Sequence, residues 1–264
     1  MSALIRSELL KLRTVRTTGW LLALTALLTA LVVVLQVVQI VTNHPHFAPG
    51  SNQALRTVLG GVGTSGGHLI MLCLGILSLG GEFRHGTITP TLLAAPRRPY
   101  LVGAKLAAIT LVGLVFAAVA LVLAVAIAVP WLAGTGYHPQ LGDGEFWLQL
   151  LGNFLVLVLY GLIGFGVGVL IRNQIVAIVL SIVWVYILEP ILTIVTARWV
   201  KPVAPYMPSS AAASLERVFI PPDAQNTDFL PHYLPMWGGG LVLLAYALVF
   251  TVVGSAFVLS RDVT

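Results

Sequence analysis

Long uninterrupted apolar runs, with no strict polar alternation, dominate the chain. Residues 19–41, 58–81, 106–133 and 146–171 contain no Asp, Glu, Lys or Arg. A fifth run, 175–188, meets Glu189 and Pro190 and resumes to residue 197; a sixth covers 237–260. About 20 apolar residues at 1.5 Å rise cross a hydrocarbon core of roughly 30 Å. Lipid offers no partners to backbone N–H and C=O groups, so runs of this length must be helical, whereas barrel strands would be about 10 residues with alternating polarity. The pattern predicts an all-α integral membrane protein with six transmembrane helices, forming a single transmembrane domain over residues 1–264. The first run follows Arg6, Lys11, Arg13 and Arg16 as a signal peptide would. It is longer than a signal h-region of roughly 7–15 residues and no small-residue cleavage site follows it, so a retained helix is expected.

Composition supports the same class. The 264 residues are 58% hydrophobic and 9% charged, with a net charge of +5. A soluble domain carries about 25% charged residues. The charge is too thinly spread to form the basic surface that phosphate backbones need, so no nucleic-acid partner is expected. A single cysteine, Cys73, excludes an intrachain disulfide and a multi-cysteine metal site.

Lysine and arginine set the orientation. With the N-terminus cytoplasmic, the inner segments hold ten of them and the outer segments four, namely Arg56, Arg198, Lys201 and Arg217. The positive-inside rule then puts both termini in the cytoplasm. Trp20, Trp131, Trp147, Trp199 and Trp237 fall at run ends, where amphipathic rings favour the headgroup level. Before the first run, Ile5, Leu9 and Leu12 share a helical face and Arg6 and Arg13 lie on another. Residues 1–17 are therefore expected to form a cytoplasmic amphipathic segment lying on the membrane surface. The connection between the fourth and fifth helices is tight, around Arg172, Asn173 and Gln174. Residues 197–236 form a long, proline-rich extracytoplasmic loop, in which Ser209 or Ser210 is expected to cap a short helix over 211–219.

Few segments offer chemistry. No G-x-x-x-x-G-K-[ST] occurs, so ATP is not bound through a P-loop, and no carboxylate or histidine cluster has metal spacing. The stretch 63–68 contains Gly63, Ser65 and Gly66 in a G-x-S-G pattern, and one alternative is an intramembrane serine hydrolase using Ser65. The remaining histidines fall in expected loops, so the preferred reading is close helix packing through Gly63 and Gly67 at G-x-x-x-G spacing, repeated by Gly164 and Gly168. A second alternative is a membrane scaffold that transports nothing.

The connection after the second run is the most informative. It begins Glu82-Phe83-Arg84-His85-Gly86-Thr87-Ile88, continues through Leu92 and Leu93, and ends at Pro96-Arg97-Arg98. Gly86 permits a sharp turn, and Thr89 can cap a helix with Pro90 at its first position. Pro96 stops that helix after about two turns. Ile88, Leu92 and Leu93 need a surface to bury against.

These residues, with Gly103-Ala104-Lys105 after them and Ser7-Glu8-Leu9-Leu10-Lys11-Leu12 at the start of the chain, resemble the signature of type-2 ABC transporter permeases. The resemblance implies a permease subunit of an ATP-driven transporter that exports an amphipathic or hydrophobic small molecule from a bacterial cell across the plasma membrane. It implies that this subunit is not itself an enzyme and has no cofactor of its own, ATP and Mg being held by two copies of an ABC ATPase subunit. A second permease copy or a related permease would complete the transport unit in the lipid bilayer. Residues 82–100 would be the coupling segment, containing a short cytoplasmic coupling helix between the second and third membrane helices. Glu82, Phe83, Arg84, His85, Gly86, Thr87, Ile88, Leu92, Leu93 and Pro96 would couple to the ATPase.

Glu189 has two readings. An ionisable group at membrane depth is a functional candidate. Alternatively Pro190 ends the fifth helix, and residues 191–197 form a re-entrant piece near the outer face. Only 14 uncharged residues precede Glu189 in that run, which favours the second reading.

Overall fold

The computed structural model describes residues 2–43, 47, 52–63, 66–84, 98–171, 173–218 and 233–259; within these, side chains are described except at 2–3, 79–84, 98–101 and 257–259. The described residues form helices and connecting turns, with no strand among them. In chain order the α-helices are α1 (Ser2–Thr14), α2 (Arg16–Asn43), α3 (Gln53–Leu59), α4 (Gly67–Arg84), α5 (Arg98–Gly134), α6 (Gly144–Leu170), α7 (Gln174–Trp199), α8 (Pro208–Leu215) and α9 (Met236–Leu259). Five of them, α2, α5, α6, α7 and α9, are long and apolar enough to cross a membrane. The apolar part of α4, Gly67–Ser78, is shorter.

The bundle is built around α6. Its side chains are the most buried of the five long helices, and α7 is the least buried. One core cluster joins α4, α5, α6, α8 and α9 around Met71, Phe116, Leu157, Leu215 and Leu243; a second joins α2, α3, the C-terminal half of α5 and the N-terminal half of α6 around Val37, Leu55, Leu132 and Phe146. In lipid, burying Leu against Leu gains little over burying it in acyl chains, so close backbone contact must hold helices together. Glycine supplies it. A Cβ on Gly75 of α4 would strike the carbonyl of Gly161, and one on Gly164 would strike the backbone of Leu72. A Cβ on Gly168 would sit 2.9 Å from Cα of Ile76. The expected packing role of Gly164 and Gly168 is therefore met on the α4–α6 seam.

Three expectations need correction. The second apolar run is not one helix from residue 58: α3 ends at Leu59 and α4 begins at Gly67. Five glycines within 60–67 disfavour helix, and Gly61 and Gly66 take φ of 79° and 100°, which glycine adopts at little cost. Gly63 and Gly67 consequently do not share a helix, and their G-x-x-x-G spacing is incidental; Gly63 sits in the intervening turn and donates its N–H to Asn153 Oδ1 at 2.7 Å. Next, Pro190 does not end the fifth helix. Residues Trp184–Leu188 form a π turn, with the Glu189 N–H donating to the Trp184 carbonyl. That widened turn makes room for the proline ring and removes the usual i−4 clash, so α7 continues to Trp199 and no re-entrant piece forms over 191–197. Finally, the short helix in the long loop starts earlier than expected and spans Pro208–Leu215, with Met207 as N-cap and no side-chain cap of its own.

Gly164→Val tests the seam. Forcing a branched side chain into backbone should cost about 1–3 kcal/mol. We expect a lower midpoint in denaturant titration of the detergent-solubilised chain. Gly142→Ala, where a Cβ would meet nothing within 4 Å, should leave the midpoint unchanged.

Candidate functional site

Two polar assemblies stand at opposite ends of the apolar bundle. The first joins the start of the chain to α5. Ile5, Glu8, Leu9 and Leu12 recur at helical spacing, so the face of α1 that carries its apolar residues also carries a carboxylate. Glu8 meets Lys105 of α5 there, with Lys105 Nζ 2.8 Å from Glu8 Oε2. Lys11, one turn along α1, donates to Glu8 Oε1 at 2.8 Å. The side chains of Lys105 and Glu8 are 2% and 7% exposed, whereas that of Lys11 is 51% exposed. Helix α5 has 37 residues, about 55 Å of helix, longer than a hydrocarbon core of roughly 30 Å, so a charge near its start need not lie at the bilayer centre. Burial alone would push the Glu8 carboxyl up; the ammoniums of Lys105 and Lys11 outweigh it and hold the group below its ordinary value of 4.5.

The second assembly lies around α8. Glu189, 2% exposed, accepts a hydrogen bond on Oε1 from the Ser209 backbone N–H. Thr193, one turn further along α7, lies 3.5 Å by its Oγ1 from Ser209 Oγ. Pro208 opens α8 and has no N–H, so Ser209 offers the first free donor of the helix. A glutamate from a neighbouring helix therefore performs the capping that a serine was expected to perform. Helix α8 is wedged between α6 and α9: a Cβ on Gly152 would strike the Leu215 carbonyl, and one on Gly239 the Ala211 carbonyl. At the far end of α8, Arg217 takes a φ of 51° and pairs with Glu145 at the start of α6; Arg56 of α3 reaches the same carboxylate oxygen at 3.6 Å. Asn153 and Gln149 of α6 continue this polar layer, Gln149 Nε2 donating to the Arg56 carbonyl at 2.9 Å.

Beneath the start of α8 lies a cavity of about 240 Å³ between α6, α7 and α9, with Leu72 of α4 at its edge. Its walls are almost wholly apolar, and Glu189 and Pro208 border it. Among the described residues no three His, Cys, Asp or Glu side chains cluster as a metal site.

Of the residues singled out by sequence, Glu82, Phe83 and Arg84 form the last turn of α4, within which their side chains are not described. His85, Gly86, Thr87, Ile88, Leu92, Leu93 and Pro96 lie outside the described residues, as does Ser65. Glu189 is described and is a capping residue at a cavity wall. The charged partners of α1 and α5 were visible only as pieces of a motif; the signal for Glu8 was its place among the apolar residues of α1. Comparison with protein-family models and with curated proteins gives no match to the chain.

The Glu8 anchor has a definite pH dependence. A carboxyl whose folded value is depressed contributes fully above its unfolded value and loses that contribution as pH falls through the folded value. We expect α1 to stay docked at neutral pH and to release below pH 4.5, read from an environment-sensitive label on Leu10→Cys in a Cys73→Ala background. Lys105→Met leaves burial without its main compensation, so release should move to higher pH. An unchanged midpoint would show that this pair does not hold α1.

Proposed function

We propose that the chain is the membrane-spanning subunit of an ATP-driven exporter of the type-2 ABC permease kind. It crosses the membrane six times, with α4 as the sixth crossing beside the five longer helices, and both termini lie in the cytoplasm. Two copies of a separate ATPase dock on residues 82–100, and a second permease copy or a related permease completes the unit in a bacterial plasma membrane. The chain itself hydrolyses nothing.

The observation that carries this reading is the Glu8–Lys105 pair. Glu8 and Lys105, one from each of the two sequence pieces that resemble the permease signature, lie 97 positions apart and meet in one buried contact. A contact of that kind ties the N-terminal helix to the helix that follows the coupling segment. A pull on residues 82–100 would then move α1 and α5 together, with the end of α4 on the other flank. ATP binding by the partner would bias this assembly between two arrangements and so reshape the apolar cavity between α6, α7 and α9. Neither a bound ion nor a polar substrate suits walls of that composition, which supports an amphipathic or hydrophobic cargo.

Orientation follows from the ten-to-four distribution of lysine and arginine. In a Cys73→Ala background, a cysteine at Arg97 should resist an impermeant thiol reagent in intact cells, and one at His138 should react. Labelling at residue 97 from outside would overturn the topology.

The partner is tested by affinity purification from mild detergent. A P-loop protein should co-purify and bring ATP turnover that the isolated chain lacks. Leu92→Asp should lose that partner while still inserting, because it places an unpaired carboxylate where an apolar contact of roughly 1.5–3 kcal/mol stood. Glu82→Ala should keep the partner and lower transport. Recovery of the ATPase by Leu92→Asp at the normal level would refute docking at this segment.

A further inference from the structure

We infer that the cavity beneath α8 is a binding site for a lipophilic organic cation, with Glu189 as the counter-charge. The inference rests on the transporter reading only in naming that cation as the cargo class; the site itself stands on geometry. Four aromatic residues, Tyr160, Trp184, Tyr246 and Phe250, line a space of about 240 Å³ whose other walls are aliphatic except at Ser181. Glu189 borders that space and is 2% exposed. Its hydrogen-bond partner is Ser209, a neutral residue at the start of α8. Among the described residues no lysine or arginine forms an ion pair with it. A carboxylate has about four acceptor positions, so the backbone N–H and hydroxyl of Ser209 leave capacity for a ligand.

The chemistry selects one class. An inorganic cation such as Ca²⁺ or Mg²⁺ asks for about six oxygen ligands, and these walls supply one carboxylate, one serine and the tyrosine hydroxyls, of which that of Tyr246 is already committed to the Tyr206 carbonyl. An anion would be repelled by Glu189. A neutral hydrocarbon fits the walls and leaves the acid uncompensated. A quaternary or tertiary ammonium with an aromatic or aliphatic body satisfies all three features: area against the walls, cation–π attraction to the rings, and neutralisation at Glu189. Leu180 and Trp184 line the cavity and are also 51% and 40% exposed, so the site opens on the outer flank of α7 toward the lipid phase, from which such a molecule would enter.

The test uses the full chain in phosphatidylcholine nanodiscs, with empty discs as reference and radiolabelled benzyltrimethylammonium as probe in equilibrium dialysis. Saturable binding is expected, displaced by unlabelled probe and not by benzenesulfonate. The neutral carbon isostere neopentylbenzene should compete at least tenfold more weakly than unlabelled probe. Glu189→Gln keeps an oxygen for the Ser209 N–H and should weaken probe binding at least tenfold. Leu180→Trp, at an exposed position of the mouth, should weaken it with the acid intact, which covers the case in which Glu189→Gln fails to fold. Equal binding by Glu189→Gln, equal competition by the neutral isostere, or no binding above empty discs would each overturn the site. None of these measurements involves an ATPase. Loss of the cation site with normal ATPase co-purification would sink the inference and spare the transporter reading, and the reverse would do the opposite.

Discussion

Helices in a bilayer gain almost nothing by exchanging lipid for another apolar side chain, so this bundle depends on how closely its backbones approach α6. Helix α6 carries glycine on more than one face. Gly161, Gly164 and Gly168 face α4, Gly166 faces Phe250 and Thr251 of α9, and Gly152 faces the end of α8. Most of these contacts place backbone against backbone, where dispersion is dense and cannot be reproduced by mobile acyl chains. The consequence is a rigid spine of α4, α6, α8 and α9, with α2, α5 and α7 arranged around it. Helix α7 is exposed over most of its surface and touches the spine on a narrow stripe.

Polar contacts then decide how the peripheral parts are held. Close backbone packing is nondirectional along a smooth seam, whereas a buried charge tolerates few arrangements because leaving it unpaired is expensive. The molecule places such contacts at both ends of the bundle. Lys105 and Glu8 fix α1 to one end of α5. Glu145, holding Arg56 and Arg217, ties α3, α6 and the end of α8 together at the other. The Glu189 carboxylate reaches further into the bundle, and it is seated on a helix terminus, where the unsatisfied N–H of Ser209 and the positive end of the dipole offset part of its desolvation.

The apolar runs made most of the helices legible, because length and freedom from charge are enough to predict a spanning helix. Helix ends and interruptions were less legible. A hydropathy run continues through Gly60 to Gly67 because glycine is not polar, although the same residues break the helix there. Pro190 pointed to a chain break that the preceding π turn abolishes, and nothing in a single sequence announces a π turn. The Ser209 cap was misassigned for a related reason. Local capping rules look three residues ahead, and the acceptor that satisfies α8 comes from 20 positions earlier in the chain. Glu189 was identified as unusual from its depth, but its partner could come only from the folded arrangement. For Glu8, one face of α1 already read Ile5, Glu8, Leu9, Leu12, and an acid in that row needs a cation opposite it.

These constraints meet in α7. A proline at residue 190 preserves the helix only because five residues before it take the wider π geometry, and that turn sets the rotation between the two halves of α7. Glu189 is the first residue past the turn, so the turn decides whether the carboxylate faces lipid or the start of α8. Facing α8, it ties the least buried helix to the rigid spine through one hydrogen-bonded contact, with Thr193 beside Ser209 one turn away. The wall of the cavity that α7 contributes is therefore held by a polar tether at the α8 end and by light apolar contact elsewhere. Elements with few buried contacts open at low free-energy cost, and in this bundle that element is the one lining the cavity. The spine can stay fixed while the cavity changes shape, provided the movement of α7 pivots about Glu189.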